Sequence, residues 1–184
     1  MKRVVVSGTP GVGKTTVVRA LAAHGYGVVE EAATDIIAQL HADGHERPWE
    51  RDGFIDAIAA EQRRRLDQPV PEGAVALLLD RSPVCTVALA RWSDRPVSAS
   101  LRAAVDRLLA DETVDRRVLF LRPLGFIVPT QARRISYELA LEFEKLHEQA
   151  YAECGFTLVD IGPTTVDERV ATIDRYLRAW ISAG

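Results

Sequence analysis

The sequence predicts an α/β protein in which helices cover both faces of a parallel β-sheet. Five short apolar segments alternate with segments of helical periodicity, a pattern typical of parallel strands joined by right-handed crossovers. A glycine-rich turn follows the first apolar segment directly. Because the chain has 184 residues and no internal repeat or long linker, we expect one domain spanning residues 1–184.

Each strand is predicted from a short β-branched or leucine-rich run that ends at turn residues. The five expected strands are residues 2–7, 27–30, 74–79, 117–121 and 156–161. The expected helices are residues 14–23, 32–40, 53–66, 98–110, 136–154 and a last one that begins near residue 165. In the fifth of these helices the predicted apolar face carries Leu139, Phe143, Leu146 and Ala150. A capping box, Thr165 to Glu168, marks the start of the last helix.

Composition excludes several classes of protein. The chain is 47% hydrophobic and 27% charged, with a net charge of −3, so no overall basic field favours nucleic acid. No apolar run approaches the roughly 18 residues of a membrane span, and the N-terminal segment lacks the pattern of a signal peptide. Cys85 and Cys154 have no metal-ligand spacing and are expected to be reduced thiols. We therefore expect a cytoplasmic protein.

The glycine-rich turn has the spacing of a phosphate-binding loop. Residues 8–15 match the Walker A pattern G-x-x-x-x-G-K-[ST] between a predicted strand and a predicted helix. Glycines let successive N–H groups face one concavity, and the helix N-terminus adds positive charge there. We expect Lys14 to neutralise the β- and γ-phosphates and Thr15 to ligate Mg²⁺. The predicted nucleotide-binding residues are Gly8, Thr9, Pro10, Gly11, Val12, Gly13, Lys14, Thr15 and Thr16.

Carboxylates follow the second and third predicted strands. Asp80 comes directly after AVALLL, where it can hold Mg²⁺ together with Thr15; the alternative is a helix N-cap. Glu30 and Glu31 end the second strand. One of them can face the pocket and accept a proton from an acceptor hydroxyl, whereas a solvated turn pair is the alternative.

Arginines supply the remaining positive charge. Arg122 follows the fourth predicted strand, and Arg133 and Arg134 lie in the segment QARRISYE. A mobile arginine loop there can close over phosphates, and the alternative is an exposed charged loop. Arg81 can bind an anionic group of the acceptor or pair with Asp80.

The aromatic, histidine and cysteine residues give weaker signals. Trp49 follows the proline of a polar loop, where it can stack on a substrate or cap the core. The four histidines, His24, His41, His45 and His147, show no ligand spacing and are expected at the surface. Cys85 is expected to be packed rather than nucleophilic.

In these motifs the chain resembles P-loop kinases of the nucleoside and nucleotide kinase group, and it is most similar to a small ATPase/kinase family related to the ribosylnicotinamide kinase domain. The resemblance rests on GTPGVGKTT, GYGVVEEAATDII, LLLDRSP and the stretch from RRISYELALEFEKLHEQAYAECGF onward. It implies a sheet order of 2-3-1-4-5 and a lid at about residues 123–137. It also implies that Glu31 is the acidic residue of the second strand, that Asp80 and Arg81 form the third-strand pair, and that Arg133 and Arg134 belong to the lid.

Two functions follow from these expectations. The first is an ATP- and Mg²⁺-dependent kinase that phosphorylates a hydroxyl or phosphate of a small molecule, with Lys14, Glu31, Asp80, Arg133 and Arg134 as catalytic residues and Glu31, Arg81 and Trp49 near the acceptor. The second is a regulatory ATPase that acts through a protein partner. A nucleic-acid end kinase is a third possibility, which the acidic charge balance weakens. We expect a monomer or a homodimer.

Overall fold

A computed structural model of the protein describes residues 1–125 and 136–182. Its five strands form one sheet in the order β2-β3-β1-β4-β5, and every neighbouring pair is parallel. The strands are Arg3–Ser7 (β1), Gly27–Val29 (β2), Leu77–Asp80 (β3), Val114–Leu121 (β4) and Thr157–Ile161 (β5). The predicted fold class and sheet order are therefore confirmed.

Seven α-helices and one 3-10 turn occur in the described parts of the chain. The helices are Lys14–Ala22 (α1), Ala32–Ala42 (α2), Phe54–Leu66 (α3), Pro83–Trp92 (α4), Ala99–Ala110 (α5), Tyr137–Glu153 (α6) and Val166–Ser182 (α7), and the turn is Pro48–Glu50. Helix α4 was not predicted. Seven of its ten residues are buried, so the sequence lacks the alternation of polar and apolar faces that reveals a surface helix.

The central strand β1 is buried on both faces. Val5 packs with residues of α3, α4, α5 and α6, whereas Val4 and Val6 pack with residues of α1 and α7. This division follows from the two-residue period of a strand, which points successive side chains to opposite faces. It accounts for the continuous apolar run in the sequence, because neither face of the strand meets solvent.

The last helix begins at its predicted cap, but the start of β4, at Val114 rather than residue 117, and two further details differ from the prediction. The Thr165 hydroxyl accepts a hydrogen bond from the Glu168 N–H at 3.3 Å, and Glu168 accepts one from the Thr165 N–H at 3.0 Å. However, β3 begins at Leu77 rather than residue 74. Leu139 is 43% exposed, because the buried face of α6 is rotated toward Phe143 and His147.

The strand register brings the carboxyl ends of β1, β2 and β3 together, and a site can form there. Val6 of β1 lies beside Asp80 of β3, and Val29 of β2 lies beside Leu79. The loops that leave β1, β2 and β3 therefore share one crevice, which is the usual ligand position in open parallel sheets. Among the described residues, no helix combines the length and apolar character needed to cross a membrane.

Candidate active site at the carboxyl ends of the strands

The loop between β1 and α1 requires glycine at two positions. Gly8 has a φ of 135°, and a Cβ there would lie 2.5 Å from the Leu121 carbonyl oxygen. Gly13 has a φ of 84° and caps helix α1 without any side-chain hydrogen bond. The backbone therefore turns tightly around the start of α1, whose first N–H groups are left for an anion.

Lys14 lies inside the loop rather than facing solvent. It is 6% exposed, and its Nζ donates to the Thr9 carbonyl oxygen at 3.1 Å. Burial, followed by the charge of Arg81, lowers the pKa of Lys14 to about 8, although Glu31 and Asp80 oppose the shift. The charges of Glu31, Asp80 and Arg81 therefore all act on this amine.

Thr15 and Asp80 face each other across the crevice. The Thr15 hydroxyl donates to Asp80 Oδ2 at 3.4 Å, while Asp80 Oδ1 is buried with no hydrogen-bond partner among the described residues. Burial raises the pKa of Asp80, although Lys14 opposes the shift. A hydroxyl and an unpartnered carboxylate oxygen suit Mg²⁺, which takes few protein ligands and relies on water and phosphate oxygens for the rest.

No group of three or more His, Cys, Asp or Glu side chains within residues 1–125 and 136–182 could hold a metal ion by itself. The pair Thr15–Asp80 fits a cation that arrives together with a nucleotide.

Glu31 and Arg81 form the second half of the site. Arg81 Nε donates to Glu31 Oε1, and both side chains are largely buried. Burial raises the pKa of Glu31, but Arg81 and Lys14 outweigh that effect, so the pKa of Glu31 lies below its usual value. Glu30 points away and meets Arg19 at 3.3 Å in an exposed ion pair. Of the two neighbouring carboxylates, Glu31 is the one in the crevice.

Arg81 holds its position through its backbone as well as its side chain. Its φ is 73°, a left-handed conformation that is uncommon for a residue other than glycine. The Arg81 N–H donates to the Val6 carbonyl oxygen at 3.0 Å, which ties the turn to β1. Strain of this kind persists only where the surroundings enforce it, and it is frequent at functional sites.

His147 is buried at 0% exposure, so the expectation that it lies at the surface is wrong. Its Nδ1 lies 2.9 Å from the Phe143 carbonyl oxygen, and its Nε2 lies 3.5 Å from Arg81 Nη1. An Nδ1–H tautomer can donate to Phe143 while Nε2 accepts from Arg81. The signal in the sequence is the spacing of Phe143, His147 and Tyr151, which places them on one face of α6.

Cys85 is packed behind the site, as expected. Its Sγ lies 3.3 Å from the Ser7 hydroxyl and 3.0 Å from the Tyr151 hydroxyl. Burial raises the pKa of the thiol, whereas neighbouring His147 and Arg81 lower it, and the net shift is downward. Both Cys85 and Cys154 are free thiols.

A pocket opens beside Glu30 and Arg81, between the ends of β2 and β3. Gln62 and Arg65 of α3 line it from the other side. Arg65 donates to the Glu30 carbonyl oxygen at 2.8 Å and contacts Asp35 at 2.5 Å, so it ties α3 to the end of β2 and to α2. The segment between β2 and β3 therefore encloses a space next to Asp80 and Arg81.

The structure does not bring four other predicted residues into this geometry. Trp49 is 37% exposed and contacts His41 edge-on; its role as an acceptor residue stays a prediction. Arg133 and Arg134, with most of the proposed lid, lie outside the described residues. Arg122, a candidate for phosphate contact, is instead engaged by the carboxylates of Glu144, Glu148 and Asp160 at 2.5–2.7 Å.

The family model for an AAA domain matches residues 3–169 of the chain. The protein belongs to this family. No curated protein sequence matches it.

Solved structures share the fold at low sequence identity. A deoxyadenosine kinase from M. mycoides with dCMP and dCDP has a TM-score of 0.63 and 14% identity, over 96% of this chain and 98% of that one. NadR protein in complex with NR has a TM-score of 0.67 and 22% identity, over 96% of this chain and 50% of that one. Thymidylate kinase from Candida albicans has a TM-score of 0.54 and 16% identity, over 97% and 91% of the two chains. The fold is that of P-loop nucleoside and nucleotide kinases.

Proposed function

We propose that the protein is an ATP- and Mg²⁺-dependent phosphotransferase that moves the γ-phosphate to a hydroxyl or phosphate of a small molecule. The observation that carries this proposal is the juxtaposition of two half-sites at one edge of the sheet. Lys14, Thr15 and Asp80 form a triphosphate and magnesium half-site. Glu31 and Arg81 form an acceptor half-site on the neighbouring strand ends.

Each residue has a proposed task. The loop N–H groups and Lys14 bind the triphosphate, while Thr15 and Asp80 hold Mg²⁺, which neutralises charge on the phosphates when it is bound. Glu31 is ionised, because Arg81 and Lys14 lower its pKa. It can therefore orient an acceptor hydroxyl and take its proton as that oxygen bonds to the γ-phosphorus. The bond from this phosphorus to the oxygen that bridges it to the β-phosphate breaks in the same step, and ADP leaves. Arg133 and Arg134 are proposed to meet charge on the transferred group, and Trp49 to contact the acceptor.

Nucleosides and nucleotides are the first acceptor class to consider. Several proteins that share the fold carry such compounds or act on them, including the deoxyadenosine and thymidylate kinases. The pocket between the ends of β2 and β3 is lined by Asp80 and Arg81 of the site and by the polar side chains of Gln62 and Arg65. The unpaired thiols Cys85 and Cys154 support a reducing compartment, and we propose that the enzyme is cytoplasmic.

The test is transfer of labelled phosphate from [γ-³²P]ATP to nucleosides, nucleotides, vitamins and antibiotics, with and without Mg²⁺. We expect a labelled organic product that requires both Mg²⁺ and one acceptor class. Release of inorganic phosphate alone, unaffected by any acceptor, would instead identify an ATPase. The Glu31→Gln variant serves as the matched control, since it should retain ATP binding and lose transfer.

A further inference from the structure

Arg169 lies in the first turns of α7, directly behind the phosphate loop. It is 2% exposed, and its three side-chain nitrogens each donate to a backbone carbonyl. Nε meets Gly162 at 2.9 Å, Nη1 meets Val12 at 2.5 Å and Nη2 meets Arg122 at 2.8 Å. One guanidinium thus joins the phosphate loop to the segments that follow β4 and β5.

Among the described residues, the charge of Arg169 has no carboxylate partner. The ion pairs of residues 1–125 and 136–182 include other arginines but not this one. Burial of an unpaired cation is costly, and arginine does not give up its proton. The three carbonyl dipoles offset part of this cost and leave a net positive charge beneath the loop.

The contact with Val12 also fixes the direction of the next N–H group. In a trans peptide the carbonyl of Val12 and the N–H of Gly13 point to opposite sides of the chain. Because the carbonyl points at Arg169, the Gly13 N–H points away from it, and no acceptor in the described chain receives it. Arg169 lies close to this peptide, since a Cβ on Gly13 would be 3.9 Å from Nη1.

We propose that Arg169 is a positioning residue of the phosphate loop: it holds the Val12–Gly13 peptide with its N–H toward a bound triphosphate and adds a positive charge behind the loop. This inference rests on the proposed function, because it requires that the loop binds a nucleoside triphosphate. It assigns to α7, which lies outside the loop motif, a part in phosphate binding.

The test compares Arg169→Met, Arg169→Lys and the control Arg178→Met, which removes an exposed arginine of the same helix. Calorimetry measures the affinity for ATP and for inorganic tripolyphosphate at a temperature at which each variant is folded. We expect a loss of roughly 10- to 100-fold for Arg169→Met, as for a lost charged hydrogen bond to a buried group. Arg169→Lys should recover part of this loss, and Arg178→Met should match the unaltered protein.

A role in packing alone predicts a different result. Both Arg169 variants would then have lower melting temperatures but unchanged affinity for ATP and tripolyphosphate, and that outcome would overturn the inference. If the unaltered protein bound neither compound, the proposed function itself would fail, so the two failures are distinguishable.

A measurement on the unaltered protein covers the case in which neither variant folds. The Arg169 Nε–H resonance, assigned through its own backbone, is followed by ¹⁵N NMR during titration with tripolyphosphate. We expect a shift that saturates together with the Gly13 amide resonance. An Arg169 signal that stays constant while the Gly13 amide moves would contradict the inference.

Discussion

The phosphate loop and the acceptor half-site differ in the sequence separation of the residues that contact each other. Lys14 meets the Thr9 carbonyl only five residues away. By contrast, Glu31 and Arg81 are 50 residues apart, and Arg65 and Asp35 are 30 residues apart. The phosphate loop is therefore a local structure that a short motif specifies. The acceptor half-site, and the Thr15–Asp80 contact that spans 65 residues, form only once the strands and α3 have packed together.

The largest expected effect is a loss of ATP binding. It tests Lys14 of the phosphate loop. Lys14→Ala should lower ATP affinity by on the order of 100-fold or more, because the amine is a point charge for the phosphates. The free energy of unfolding should change little, since the variant removes a buried charge whose pKa is already lowered to about 8. Calorimetry and thermal denaturation measure the two quantities.

Lys145→Ala is the matched control for that variant, because Lys145 is an exposed lysine of α6. It should bind ATP as the unaltered protein does. Equal ATP affinity in the Lys14 and Lys145 variants would remove Lys14 from the nucleotide site.

The next effect is a loss of turnover. It tests the acceptor half-site, whose contacts join residues far apart in sequence. Glu31→Gln should lower turnover by roughly 10²- to 10⁴-fold if Glu31 accepts the proton, while ATP affinity stays unchanged. Glutamine keeps an oxygen for Arg81 but cannot take the proton. Steady-state kinetics with a transferring acceptor measure the loss.

Glu30→Gln provides the comparison, since Glu30 is the neighbouring carboxylate in an exposed pair with Arg19. Its turnover should match that of the unaltered protein. A larger loss for Glu30→Gln than for Glu31→Gln would reverse the assignment of the two residues.

The third expected effect is smaller than the first two. It is on the Mg²⁺ dependence of activity and tests Asp80 of the phosphate half-site. Asp80→Asn should raise the Mg²⁺ concentration needed for half-maximal activity by about 10- to 100-fold, as for partners that hold a metal through water. Nucleotide binding without metal should change less, because the carboxylate faces Thr15 rather than the loop N–H groups. If both quantities fall equally in a Mg²⁺ titration, Asp80 is a structural cap.

The smallest expected effect is on the free energy of unfolding. It concerns Glu61, which pairs with Arg65 beside the pocket. Glu61 pairs with Arg64 and with Arg65, and the hydrogen bond from Arg64 is the main cause that lowers the pKa of Glu61 from 4.5 to about 2. A pKa that is lowered on folding adds stability above pH 4.5, and that stability is lost as the pH falls from 4.5 toward 2. Glu61→Gln should therefore lower the free energy of unfolding at pH 7 by about 0.5–1 kcal/mol.

Urea denaturation at pH 7 and near pH 2 checks the sign of this dependence. The difference between Glu61→Gln and the unaltered protein should vanish at the lower pH. Glu112→Gln, at an exposed carboxylate of the α5–β4 turn, should show no such change. A difference that persists near pH 2 would mean that Glu61 acts through packing rather than charge.

The same contrast explains how much could be predicted from the sequence. The parallel sheet and the residues of the phosphate loop follow from buried strands and from a motif whose residues are neighbours, whereas the strand order came from the family resemblance. Asp80 could be predicted as well, because it ends a buried strand. The choice of Glu31 over Glu30 came from the family resemblance, since both residues follow β2.

The remaining site residues depend on which helix face is buried. His147 and Arg169 are polar residues on apolar faces, with Arg169 at the same helical spacing as Ile173 and Leu177 of α7. Their partners, Arg81 and the Val12 carbonyl, are 66 and 157 residues away, and no local pattern records such contacts. Helix α4 escaped prediction for a related reason, because a helix buried on most sides shows no polar face.

The central claim is that the two half-sites form one centre for phosphate transfer. A crystal structure with AMP-PNP, Mg²⁺ and the acceptor found by screening tests it most directly. We expect the triphosphate along residues 8–16, the metal between Thr15 and Asp80, and the Glu31 carboxylate hydrogen-bonded to the acceptor group that faces the γ-phosphate. An acceptor bound away from Glu31, or a triphosphate that leaves the loop vacant, would contradict the account.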